Sequence, residues 1–167
     1  IYWSADGENF EMVEGTDPGE FGSGNFAAVD AMVADPNDED RVWFGCNAGF
    51  GFIENGVMTM SPSNDINGAV ADIAVAHDGS YMLIGMGNCR VFRSEGNDFT
   101  SFNSVSGSNN DDTVLPQSGN GRVRVDISID DPNHAFAVFA TSGGSFGGLY
   151  HSYNAGQEES WLSLIHI

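Results

Sequence analysis

Short apolar runs rich in Val, Ile, Phe and Ala alternate along the chain with clusters of Gly, Asn, Asp and Ser. That alternation predicts β-strands joined by tight turns, and no stretch holds a helical period long enough to compete with it. Three segments repeat the pattern. The first runs from Phe26 through Val29-Asp30-Ala31-Met32-Val33-Ala34 and turns at Asp35-Pro36-Asn37 into Arg41-Val42-Trp43-Phe44-Gly45. The second runs Val70-Ala71-Asp72-Ile73-Ala74-Val75 and turns at His77-Asp78-Gly79 into Tyr81-Met82-Leu83-Ile84-Gly85. The third runs Val123-Arg124-Val125-Asp126-Ile127 and turns at Asp131-Pro132-Asn133 into Ala135-Phe136-Ala137-Val138-Phe139. A third strand follows in each, then a fourth: Val57 to Met60, Phe99 to Phe102, and Trp161-Leu162.

The aligned aspartates Asp30, Asp72 and Asp126 give spacings of 42 and 54 residues, and Asp35-Pro36 lies 96 positions before Asp131-Pro132. Self-similarity at about 40 to 50 residues is the mark of propeller blades built from four strands. The longer second spacing implies an insertion, and Ser101 to Gly121, with Ser104, Ser106, Gly107 and the run from Ser108 to Asp112, reads as a long loop. The expected fold is therefore all-β, with β-propeller blades of four antiparallel strands, about three and a half of them in an incomplete ring. A blade end occupies residues 1–20 and full blades occupy 26–60, 68–102 and 121–162. Residues 163–167 depart from the repeat and are set aside as a non-native tail, so that 1–162 is the expected partial propeller of a larger ring.

Composition agrees and narrows the partners. The chain of 167 residues is 41% hydrophobic, enough for a core, while its 24 acidic and 5 basic residues give a formal net charge of −19. Such a surface repels a nucleic-acid backbone or an anionic membrane. No stretch is long and apolar enough to insert in a membrane as a helix. Cys46 and Cys89 are too few for a disulfide framework and lack zinc-site spacing, leaving one bridge between adjacent blades or two separate thiols.

The turns after the third strands carry a further signature. Ser4, Asp6, Gly7 and Phe10 open the chain with hydroxyl, Asx, glycine and aromatic in order; Ser152, Asn154, Gly156 and Trp161 repeat it near the end; Ser94, Gly96 and Phe99 keep all but the Asx. These residues resemble the Asp-box, or BNR, repeat of β-propellers, as do the Asp-Pro-Asn turns. The resemblance is to sortilin-type and xyloglucanase-type propellers, and it implies that these turns are structural elements of the blade rim. In related sialidases activity rests on an arginine triad, and no spacing among Arg41, Arg90, Arg93, Arg122 and Arg124 singles out three.

Three groups of residues are candidates for chemistry. Asp30, Asp72 and Asp126 sit on inner strands, where carboxylates facing a channel could supply an acid/base pair or bind a cation; the competing reading has them bonding the backbone of the next strand. Asp35, Asp38 and Asp40 crowd one turn with Glu39, and oxygen ligands at that density could hold Ca²⁺, although no cofactor is required. Loops on a rigid scaffold carry binding, which points to the 101–121 insertion. The expected function is a secreted or cell-surface binding scaffold for a protein or glycan ligand. The alternatives are a glycoside hydrolase of the xyloglucanase-like type, with catalytic residues the sequence does not identify, and an intracellular or plastid assembly factor.

Overall fold

The computed structural model describes residues 1–16, 28–61, 65–107, 114–117 and 120–164. Phe26, Ala27, residues 108–113 of the insertion and Ile165 to Ile167 of the expected tail lie outside them. Among the described residues every regular element is a strand. A hairpin of β1 (Tyr2–Trp3) and β2 (Glu11–Met12) precedes three four-stranded sheets. The first holds β3 (Val29–Ala34), β4 (Arg41–Cys46), β5 (Gly49–Glu54) and β6 (Val57–Met60). The second holds β7 (Val70–Val75), β8 (Met82–Met86), β9 (Val91–Ser94) and β10 (Phe102–Ser104). The third holds β11 (Asn120–Ile127), β12 (Ala135–Thr141), β13 (Phe146–Ser152) and β14 (Trp161–Ser163). Each is an antiparallel meander, as read from the sequence, but the fourth strand expected at Phe99 to Phe102 lies instead at Phe102–Ser104, past the expected end of that blade. The last sheet runs slightly past the expected boundary, because Ser163 pairs with Tyr150 and the Leu164 amide donates to the Leu149 carbonyl.

Successive side chains of a strand point to opposite faces, and the middle sheet uses both. In β8, Met82, Ile84 and Met86 join Trp43, Phe50 and Phe99 in the core between the first and second sheets. Leu83, on the other face, joins Val123, Phe139 and Trp161 in the core between the second and third. All five residues of β8 are buried. A third cluster of Val13, Phe44, Cys46, Ile53 and Met58 seats the initial hairpin on the first sheet.

The inner strand β7 packs against both β3 and β11. The sheets approach most closely where Gly45 and Gly85 stand in their second strands. A Cβ on Gly45 would lie 2.3 Å from Val70 Cγ1, and one on Gly85 would lie 3.1 Å from Val123 Cγ1. A side chain at Gly45 would collide with Val70, and one at Gly85 would crowd Val123 until it gave way, so the glycines permit the close spacing between sheets.

Sheet register corrects the repeat alignment. Asp30 lies in a bulge between Val29 and Ala31, Asp72 stands opposite Gly85, and Asp126 stands opposite Phe136, so the three aspartates do not share one position. The residue that does recur is the aspartate inside the first turn. Asp38, Asp78 and Asp131 each accept the amide two residues on, from Asp40, Ser80 and Asn133, at 3.0–3.1 Å. These aspartates are 40 and 53 residues apart. The two Asp-Pro-Asn motifs therefore occupy different places in their turns, the first at its start and the other at its end.

Two further expectations change. The flanks of the insertion are core, not loop: Val105, Ser106, Val114 and Leu115 are buried, and Ser106 Oγ accepts the Val91 amide at 2.8 Å. Cys46 and Cys89 are both free and buried in different clusters, which removes the bridge and leaves two thiols. Ellman's reagent is expected to find no reactive thiol in the native protein and both in denaturant; a single fast-reacting native thiol would contradict the packing of one of these clusters.

Candidate functional site

The residues expected to carry chemistry fall into four places. The turn from Ser4 to Asn9 is a closed hydrogen-bond ring. Asp6 accepts the Glu8 and Asn9 amides at 2.8 Å each and the Asn9 side chain at 2.7 Å, while Ser4 Oγ takes the Gly7 amide at 2.9 Å. Gly7 has φ of 73°, which glycine adopts without a Cβ clash. Donation first from the Asn9 amide, then from its side chain and the Glu8 amide, holds the Asp6 carboxyl well below the usual carboxylate range. Phe10 is exposed here. In the Ser152 turn the same roles are redistributed: Ser152 Oγ accepts both the Asn154 and Gly156 amides at 3.1 Å, Gly156 has φ of 68°, and Trp161 is fully buried. Ser94 Oγ instead takes the Met82 amide at 2.9 Å, beside Gly96 and the buried Phe99, whose ring lies 5.7 Å from that of Trp43. The Ser4 and Ser152 turns bond their own backbone, whereas the Ser94 hydroxyl bonds the adjacent strand, so all three hydroxyls are committed to shape.

The acidic turn gathers its carboxylates around an arginine. Asp35 is buried and accepts Trp43 Nε1 at 2.8 Å and the Asn37 amide at 2.9 Å. Asp38 caps the Asp40 amide. Into this group comes Arg41, 3.6 Å from Asp35, 3.2 Å from Asp38 and 3.0 Å from Glu54. The guanidinium stands where Ca²⁺ was expected, and among the described residues no cluster of three or more acidic, His or Cys side chains could hold a metal ion. Sequence reading missed Arg41 because its partner Glu54 comes from the far end of the adjacent strand, opposite it in the β4–β5 pairing.

Two of the inner-strand carboxylates meet groups of the third sheet. Asp72 accepts the Val125 amide at 2.9 Å and pairs with Arg124 at 3.2 Å, and the same guanidinium donates to the Ala71 carbonyl at 2.6 Å. Asp30 lies 3.8 Å from Arg122. Asp126 differs: it is exposed, and its hydrogen bond is to the amide of the next residue, Ile127, at 2.9 Å.

One open recess reaches all three sheets. It has a volume of about 710 Å³ and forms where the inner strands end, lined by Val33, Ala34, Pro36, Val75, Ala76 and His77 together with the Asp126–Ile129 segment. The same backbone bond closes each strand there, from Asp35 to Arg41, from Ala76 to Tyr81 and from Ser128 to His134, which makes the three contributions equivalent. Tyr81 ties the second turn to the third by donating its hydroxyl to the Pro132 carbonyl at 2.7 Å, and Asn37 ties the first to the second through the Gly79 carbonyl at 3.1 Å. A separate polar cleft of about 480 Å³ lies at the rim between Glu95, Asn103, Gln157 and Glu158. Its one arginine, Arg93, is already bonded to the Ala155 and Ser94 carbonyls. His134 and His151, unrelated in sequence spacing, meet at 3.0 Å, and burial followed by the His134 charge pushes His151 below its ordinary pKa.

These sheets, stacked side by side with inner strands adjacent and a recess at their common end, have solved counterparts. The fold is that of a β-propeller. The chain is similar to the GH74 xyloglucanase of Xanthomonas campestris, with a TM-score of 0.61 and 16% identity over 83% of the chain. It is also similar to an ancestral GH74 enzyme, with a TM-score of 0.53 and 17% identity over 74% of the chain. It spans 21% and 17% of the lengths of those enzymes. No protein-family model and no curated protein matches the chain. Within the described residues the propeller ring is not closed: Met32 on the first sheet and Val138 and Leu162 on the third remain exposed.

Two outcomes follow from the carboxylates. Asp6 gains stability only when ionised, so its contribution is complete above the unfolded value near ~3.9 and is lost as pH falls through its lower folded value. Its ¹³C carboxyl resonance should still report the ionised form at about pH 3, where a free aspartate is mostly protonated. Asp72→Ala strands the buried Val125 amide and should cost about 1–3 kcal/mol in urea unfolding; a loss below a few tenths would show that water replaces the carboxylate.

Proposed function

We propose that this chain is part of a secreted or cell-surface propeller that serves as a binding scaffold, seating a protein or glycan ligand in the three-blade recess. The observation that carries this reading is the pairing of features at the inner strands. Two of the three inner-strand carboxylates, Asp30 and Asp72, face arginines of the third sheet, whereas the recess beside Asp126 is open and sized within the roughly 300–1,000 Å³ usual for ligand sites. The hydrogen-bond rings at Ser4 and Ser152 support naming these turns Asp-boxes, with the rim role that the sortilin-type and xyloglucanase-type resemblance implies. The negative surface speaks against nucleic acid as the ligand.

A second reading is a glycoside hydrolase acting on polysaccharide. It is favoured by the similar structures, both GH74 enzymes, and by Asp126, which among the described residues has no arginine partner. A lone carboxylate does not make the acid/base pair that glycoside cleavage needs, and among the described residues the recess offers no second one. The test is reducing-end release from xyloglucan and mixed-linkage β-glucan, run beside ¹⁵N-detected titration with peptide and oligosaccharide probes. The scaffold reading expects no release, with shifts at Ala34, Val75 and Ile127 from one probe class. Sugar release that disappears in Asp126→Asn would replace it with the hydrolase, and no shift from either class would reject the recess as the ligand site.

A further inference from the structure

The recess distinguishes between the two ligand classes by its chemistry. Seven of its lining residues are apolar: Val33, Ala34, Pro36, Val75, Ala76, Ile127 and Ile129. Ile129 is 71% exposed, more than any other large apolar side chain among the described residues, and nothing in the core accounts for it. An apolar side chain held open to water at a concave surface marks a contact site.

Sugar rings are recognised by dense arrays of polar groups and by flat aromatic faces on which they stack. The recess has neither. The exposed aromatics Tyr2, Trp3, Phe10, Phe146 and Tyr153 all lie outside its lining. Its polar side chains are His77, Ser128 and Asp126, and no lysine or arginine reaches it. The one fixed charge is therefore negative, set among aliphatic walls, on a protein whose net charge of −19 draws cations from a distance.

We propose that the recess binds a peptide segment in which an aliphatic side chain neighbours a Lys or Arg, the aliphatic group packing against Val75, Ile127 and Ile129 and the cation pairing with Asp126. This rests on the recess being the ligand site and names the class of ligand it takes. The equivalent strand ends of the three blades contribute one small or aliphatic residue each to the lining, Ala34, Val75 and Ile127, a surface that accepts a branched side chain without a specific hydrogen bond.

The probe is the blocked tripeptide acetyl-Leu-Arg-Leu-amide, titrated into the full chain and followed in ¹H–¹⁵N spectra. Acetyl-Leu-Glu-Leu-amide and a xyloglucan oligosaccharide are run in parallel. The Arg peptide should shift Ala34, Val75 and Ile127, with affinity falling as salt is raised, while the Glu peptide binds more weakly. Asp126→Asn should weaken the Arg peptide about 2–5-fold, the usual worth of an exposed ion pair, and erase the preference over the Glu peptide. Ile129→Ser should weaken both peptides about tenfold. Because Asp126 and Ile129 are exposed, neither change should alter the unfolding midpoint, which separates lost binding from lost structure. Shifts at the recess from the oligosaccharide and not the peptides would overturn this assignment while leaving the scaffold reading intact. Equal binding of the Arg and Glu peptides, or no effect of Asp126→Asn, would overturn the cationic part, and silence from all three probes would reject both readings.

Discussion

A four-stranded sheet with two apolar faces cannot bury itself; it must stand between two others. Everything else in this molecule follows from that constraint. The second sheet meets it fully, and every residue of β8 is withdrawn from water, with alternate side chains assigned to separate cores. The first sheet meets it with the second sheet on one face and the initial hairpin on the other, whereas the third meets it on one face. Alternation in β12 shows the difference directly: Ala135, Ala137 and Phe139 are buried while Val138 between them is exposed.

Seams between sheets are fixed by a few groups acting at short range. Gly45 lets the neighbouring inner strand approach where a side chain would collide with Val70, and Gly85 does so where one would crowd Val123. Asp72 then reaches across to an amide and an arginine of the third sheet, and Asn37 and Tyr81 stitch the turns at the recess end. The recess is thus a product of how the blades are joined. Its equivalent walls come from three strand ends closed by the same backbone bond, and Asp126 is exposed there beside Phe136, Val138 and Leu149 of the third sheet.

Strands and their grouping were readable from the sequence because alternation of apolar and polar residues is a local property, set by which face of a strand meets the core. Register was harder. Asp-Pro-Asn appears at 35–37 and again at 131–133, but proline and asparagine suit several positions of a turn, so the match aligned the start of one with the end of another. The less conspicuous Asp38, Asp78 and Asp131 hold the true register because each caps the amide two residues on. Arg41 was invisible as the occupant of the acidic turn, since its pairing with Glu54 requires the β4–β5 register to be known. The insertion misled through composition: its serines and glycine suggested a loop, while Val105, Val114 and Leu115 at its flanks complete the core. The recess had no sequence signal at all, because its walls are ordinary aliphatic residues brought together from three repeats.

The complete burial of β8 also sets how the molecule comes apart. Stacked sheets are held by their neighbours, so a sheet covered on both faces opens only after a neighbour has left. Amide hydrogens of β8 therefore exchange with solvent more slowly than those of β12, whose outer face is open among the described residues.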